Sequence, residues 1–373
     1  MKYQRFLLVA LLTLFTVFAV QCGASEPAAP AAPAEPAATE EAAAPAEAAA
    51  TEEAMATTEA ETAEEPAAEA PASDYKLAAI FPGVITDADY NTLGYLAVEA
   101  VQQDLDVPIA FSESVAVPDV ERVMREYIDD GFNIIFTHGS QFVSQTQTLA
   151  AEFPDVHFIA ESDGAAENPP ANLWIIDRNF QVGFYPLAVV AARQSQTGKI
   201  GYIGGLTLPF SYSEVHAIEQ AIADQGLEVE LQPVWVGDFN DPTKARELAE
   251  AMMGEDVDVI IGSLNLGMLG IFEAAKASDK DVWVTAKYTD KTEFAPYNYI
   301  TSVLYDFVGP LKDIVGRIEG GEAGGYYPLG FDTGVAIQPL QNAAPEISEA
   351  LDKVVQDVQA GTIEVVKDTT PIE

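Results

Sequence analysis

The sequence predicts an α/β protein made of two doubly wound, mostly parallel sheets, one per lobe, joined by a hinge. Three observations lead there. Short apolar runs alternate with stretches whose apolar residues recur at helical spacing. That alternation ends near Asn179 and begins afresh, giving two successive sets of β-α units rather than one. The last part of the chain breaks the rhythm, as segments crossing between two lobes would. Residues 74–373 are also too many for one small core and suit two.

The first set opens on "KLAAIFPG", an apolar strand stopped by Pro82 and Gly83. From Asn91 the positions Leu93, Leu96, Ala100, Val101 and Leu105 step as one helix face. A helix from Pro118 to Asp130 is closed by Gly131, which suits a C-terminal cap. Strand "NIIFTHG", a helix from Gln141 to Glu152, and strands "VHFIAESD" and "LWIID" complete the set. The second runs through helix "GFYPLAVVAARQ", strand "KIGYIGG", helix "SEVHAIEQAIADQG", strand "EVELQPVWVG", helix "PTKARELAEAMMG", strand "VDVIIGSLN", helix "LGIFEAAKAS" and strand "DVWVTAKYTD". Strand "YITSVLYD", helix "FVGPLKDIVGRIEGG", strand "GVAIQP" and helix "EISEALDKVVQDVQAG" follow as the crossing elements. Residues 74–180 with 306–328 are expected to form the N-terminal lobe, and 181–305 with 329–373 the C-terminal lobe. Several crossings make a hinge, and a cleft between hinged lobes suits capture of a small ligand by closure. In such sheets ligands lie at the carboxyl ends of the strands.

Ahead of these lobes stand two segments of other character. Residues 1–22 carry Lys2 and Arg5, then the apolar run "FLLVALLTLFTVFAV", the layout of an export signal rather than of a permanent spanning helix. The chain's only cysteine, Cys22, closes that run, so no intrachain disulfide can form. Its setting is similar to the site at which bacterial lipoproteins are cleaved and acylated, although Ala19 and Gln21 depart from the usual residues there. Residues 23–73 are almost wholly Ala, Pro, Glu and Thr, with no basic or aromatic residue, and read as a solvated tether. Lipid anchor, spacer and folded body place the protein on the extracytoplasmic face of a membrane.

The formal net charge is −41, of which about −31 falls on the body once the N-terminal segments are set aside. Such a field repels phosphates and excludes nucleic acid as a partner. The sequence lacks both G-x-x-x-x-G-K-[ST] and G-x-G-x-x-G. His138, His157 and His216, with no H-E-x-x-H, supply no recognisable metal or nucleophile site. No cofactor and no catalysis are expected, and a monomer is.

Four stretches bear a more specific likeness: "KLAAIFPGVITDADYNTLGY", "FTHGSQF" followed by "LAAEFPDVHFIAESD", "TGKIGYIGG", and "VGDFNDPTKARELAEAMMGEDVDVII". In this order they resemble the basic membrane protein family, lipoproteins of the purine-nucleoside receptor type. The resemblance implies a type I periplasmic-binding fold, a purine nucleoside or nucleobase as ligand, and ABC permease and ATPase subunits as partners. It directs attention to Gly83, Asp87, Asp89, Tyr90 and Asn91, where an aromatic face can stack on a base and the polar groups can meet a ribose or base edge. Asp89 and Asn91 equally suit helix capping, and Tyr90 a core position. His138 and Gly139 end a buried strand, where structural and ligand-facing roles stand level. Phe210 is expected as a second aromatic wall, with His216 on the helix beyond it. Phe239, Asn265, Tyr288 and Asp290 complete the expected site, Tyr288 standing where relatives tend to carry an aspartate. Sugar sites also combine aromatic rings with Asp and Asn, so a sugar-binding protein or sensor subunit is the alternative, and a hydrolase a more distant one.

Overall fold

The computed structural model describes residues 73–372; the expected signal, Cys22 and residues 23–72 lie outside them. In chain order β1 (Leu77–Ile80), α1 (Tyr90–Leu105), β2 (Ile109–Ser112), α2 (Val120–Asp129), β3 (Ile134–Thr137), α3 (Val143–Glu152), β4 (His157–Ser162) and β5 (Leu173–Asp177) form the first alternation. The second contains α4 (Gln181–Gln194), β6 (Lys199–Gly204), α5 (Pro209–Asp224), β7 (Glu230–Trp235), α6 (Pro242–Gly254), β8 (Val259–Ser263), α7 (Met268–Ala277), β9 (Trp283–Tyr288) and β10 (Tyr299–Tyr305). Then come α8 (Val308–Glu319), β11 (Gly325–Pro328), β12 (Val335–Ile337) and α9 (Pro345–Gln359).

The strands form two sheets, ordered β11-β5-β4-β3-β1-β2 and β12-β10-β9-β8-β6-β7. Every pairing is parallel except β10 with β12. The chain passes from the first sheet to the second after β5, returns after β10 to place β11 at the first sheet's edge, and passes back to β12. Helix α8 packs on α1, and α4 lies against α5 and α9.

Parallel sheets bury both faces, which accounts for the near-continuous apolar strands. With side chains alternating, Leu77 and Ala79 of β1 enter one core while Ala78 and Ile80 enter another on the opposite face. In the second sheet Ile200 and Tyr202 of β6 face the first of these cores and Ile203 a third. The shared core therefore runs through both lobes, with almost all of α4 buried in it, as its unbroken apolar sequence requires.

Two short strands, β2 and β11, are additions to the elements expected from the sequence. They are the opposite edges of the first sheet, half exposed, and β11 ends in Pro328, which an edge tolerates. Helix α5 starts at Pro209 rather than Ser213; proline at its first position and the Ser211 side chain, bonded to the Leu208 N–H, set that start. Phe210 is thereby helical, not part of a loop.

Candidate ligand-binding site between the two sheets

Register fixes the site. Ile80 pairs with Thr137, Thr137 with Ala160, and Ser162 with Asp177, so the loops beginning at Phe81, His138, Asp163 and Arg178 leave the first sheet in a row. In the second sheet Gly204 pairs with Ser263, aligning the loops after β6 and β8. Between the two rows of loops lies a cavity of about 200 Å³, lined by Pro82, Gly83, Tyr90, Asn91, Gln141 and Arg178 on one side and Leu206, Leu208, Phe210, Phe239, Asn240, Asn265 and Tyr288 on the other. It is smaller than the ~300–1,000 Å³ of pockets for drug-sized ligands, and so suits a compact one.

Asp87 organises the cavity without lining it. It is 1% exposed, and one carboxylate oxygen accepts the N–H groups of Asp89 and Thr92 and the Thr92 hydroxyl at 3.0, 3.1 and 3.2 Å. The other accepts the Asn91 N–H at 3.1 Å, Asn91 Nδ2 at 2.7 Å and, from the opposite lobe, Asn265 Nδ2 at 3.0 Å. Capping of α1 thus falls to Asp87, not to Asp89 or Asn91, because its oxygens reach the second and third N–H groups of the helix. By holding Nδ2, Asp87 also fixes the Asn91 amide: its Oδ1 is buried, lacks a partner among the described residues and belongs to the cavity wall.

Asp89 reaches across to the second lobe, where Lys291 Nζ and the Thr289 hydroxyl donate to it at 2.6 and 2.9 Å. Burial pushes its carboxyl up to about 6 against the pull of Lys291 and Thr289, with Asp87 adding a further upward push. An unfolded Asp titrates near 3.8, so the folded protein binds more protons between these values. The contribution of Asp89 to stability is therefore full below about pH 4 and is lost as pH rises through about 6. Asp89→Asn is expected to remove this slope, so the melting-temperature difference between variant and wild type should change by several degrees from pH 4 to about 6.5. A constant difference would show that Asp89 is not buried in solution.

Tyr90 lies in the wall with one face covered by the His138 ring, at a centroid distance of 3.9 Å. Its hydroxyl donates to Glu161 and accepts Arg178 Nη1 at 3.1 Å. Burial, then the Glu161 charge, hold this phenol well above its ordinary range, so it remains a donor. His138 is fully buried behind Tyr90, with Nε2 2.8 Å from the Tyr90 carbonyl and Nδ1 2.6 Å from Glu161. The imidazole fits only because α1 carries glycine there: a Cβ on Gly94 would stand 2.5 Å from the ring.

The second lobe adds three rings. Phe210 and Phe239 lie nearly parallel, centroids 6.0 Å apart, and form one continuous apolar face rather than two jaws. Tyr288 ends β9 at φ +77°, a left-handed conformation costly for an aromatic residue and the kind of strain found at ligand sites.

Of the remaining expected residues, Gly139 is buried behind the wall at φ +136°, where glycine is favoured. His216 is turned away from the cavity, with Nε2 2.9 Å from the Thr370 carbonyl and Nδ1 3.0 Å from Glu219. Asp290 is exposed and accepts the Thr292 N–H and hydroxyl in its own turn. Arg178, Gln141 and Asn240 line the cavity without having been singled out in the sequence. For Arg178 a signal exists: a basic residue in a strongly acidic chain, directly after the buried strand "LWIID".

Two parallel α/β lobes closing a compact cavity at the carboxyl ends of their strands define a two-lobed binding protein of the type I periplasmic fold. The chain belongs to the family described as Bmp, ABC transporter substrate-binding protein PnrA-like, which matches residues 75–368. It is similar to basic membrane protein A2 of Borrelia garinii subsp. bavariensis, 25% identical over 62% of this chain and 68% of that protein. A purine-binding protein of Brucella abortus is 26% identical over 55% of this chain and 56% of its own length. Among solved structures, a solute-binding protein of an ABC transporter system from Conexibacter woesei shares the fold, with a TM-score of 0.63 at 21% identity, covering 79% of this chain and 99% of that one. The family is one of transport substrate-binding proteins rather than of enzymes. Among the described residues no group of side chains could hold a metal ion, and no helix is long and apolar enough to cross a membrane.

Proposed function

We propose that this protein is the membrane-tethered binding component of an ABC importer, and that it captures a purine nucleoside or nucleobase by closing its lobes. The observation that carries the reading is Asn91 Oδ1, a buried acceptor without a partner among the described residues, in a cavity walled by rings of both lobes. An unmet buried acceptor costs about 1–3 kcal/mol, which a ligand N–H or hydroxyl would relieve. Stacking of a base on such rings adds ~1–3 kcal/mol. The purine-binding relative supports the same ligand class. Capture requires opening of the bonds from Asp87 to Asn265 and from Asp89 to Lys291, which join the lobes.

A melting-temperature series tests the ligand: adenosine, guanosine, inosine or their free bases should stabilise the protein, by about 2.7 kcal/mol at a hundredfold excess over Kd. Stabilisation by simple sugars with none by any purine would overturn the purine reading in favour of a sugar. The tether rests on Cys22, the residue to be acylated. Cys22→Ser should release the protein from the membrane fraction, whereas unchanged retention would assign anchoring to the apolar run before it.

A further inference from the structure

Among the described residues Arg178 is the only charged one lining the cavity, and 3% of it is exposed. Burial works against its charge, but Asp163, Tyr90 and Glu161 hold it well above its ordinary range. Nε donates to Asp163 at 3.0 Å, Nη2 to Asp163 and to the Ser140 hydroxyl at 2.8 Å, and Nη1 to the Tyr90 hydroxyl at 3.1 Å. A guanidinium has five N–H groups, so one on Nη1 is without a partner among the described residues. The group also lies 4.8 Å from the Phe210 centroid, and Lys287 Nζ lies 4.7 Å from the same centroid. Two cations on one ring draw its π-electron density and leave that wall of the cavity electron-poor.

Resting on the purine reading, we infer that Arg178 sets specificity, selecting purines that carry a ring carbonyl over purines that carry an amine in its place. A guanidinium only donates, so the ligand group against it must accept. A carbonyl at C6 brings two lone pairs and the negative end of its dipole, while the adjoining ring N–H supplies the donor that Asn91 Oδ1 lacks. An aminopurine keeps ring nitrogens as acceptors but sets its C6 amine, a donor, beside the cation. A charge-assisted hydrogen bond decides such a comparison by roughly tenfold to a hundredfold.

The test is the ratio of dissociation constants, by calorimetry, for inosine, adenosine and purine riboside, which carry a carbonyl, an amine or a hydrogen at C6, with an N–H on the adjoining ring nitrogen in inosine alone, together with the three free bases. Inosine should bind at least about tenfold more tightly than the other two nucleosides, with hypoxanthine leading the bases. In Arg178→Met the inosine-to-adenosine preference should fall about tenfold, leaving only the part that the ring N–H draws from Asn91; a purely structural role would weaken both and leave their ratio unchanged. Should that variant not fold, Arg178→Gln, which keeps a polar group there without the charge, takes its place with the same readout. Equal binding of inosine and adenosine, or tighter adenosine, overturns the inference while the purine reading stands. Failure of every purine compound, with a sugar binding, removes both.

Discussion

Asp87→Ala is expected to lower ligand affinity at least about a hundredfold and to cost on the order of 3–5 kcal/mol of stability. The carboxylate accepts six hydrogen bonds, three from backbone N–H groups and three from side chains. Alanine would leave the first turn of α1 without its cap and free the amides of Asn91 and Asn265 to rotate. The buried acceptor facing the cavity would then no longer be held, and of the bonds joining the lobes the one to Asn265 would be gone. Asp87→Asn, which keeps one accepting oxygen, should fall between alanine and wild type. Calorimetry and thermal melts separate the two effects, and alanine-variant binding within about threefold of wild type would show that Asn91 is positioned by something else.

The second large effect lies beneath the cavity floor. Glu214→Leu is expected to destabilise the protein by about 3–5 kcal/mol, with a fall in melting temperature on the order of 10 °C. Glu214 accepts Lys287 Nζ, the Tyr202 hydroxyl and the Ser263 hydroxyl, each at 2.7 Å, and both charged side chains are buried. Burial holds the Lys287 ammonium below its ordinary range against the pull of Glu214. Without the carboxylate, Lys287 must lose its proton or remain an unpaired buried charge. Lys287 also lies 4.4 Å from the Phe180 centroid and 4.5 Å from that of Tyr288, so the loss should reach the cavity wall. The double variant Glu214→Leu with Lys287→Met should recover most of the stability, because matched apolar groups carry no desolvation cost. Equal destabilisation of single and double variants would place the cost in packing, not in charge.

The contrast among the acidic residues of "DADYN" shows what one-dimensional reading loses. Asp87 and Asp89 sit two residues apart in the same loop and look interchangeable as caps or ligand groups. One turns back onto the helix it precedes and ties two asparagines; the other leaves the loop for Lys291. That choice depends on Asn265 and Lys291, each more than 170 residues away. His138 and His216 diverge for the same kind of reason, one inserted beside Gly94 behind Tyr90, the other bonded to the carbonyl of Thr370.

The sequence alone determined the two alternating α/β sets and the strand ends at which a site forms, because burial of both sheet faces writes continuous apolar runs into neighbouring residues. It also brought seven of the cavity's lining positions into view, Gly83, Tyr90, Asn91, Phe210, Phe239, Asn265 and Tyr288, all at such ends or at the start of the helices that follow. Only the tertiary structure decided the edge strands β2 and β11, whose pairing comes from a neighbour and not from their own half-exposed residues. Only it placed Arg178 in the cavity, turned Asp290 into its own turn, and made Asp87 the hub of the site. Those outcomes are set by partners distant along the chain, and a hydrogen bond across a cleft leaves no period in the sequence of either lobe.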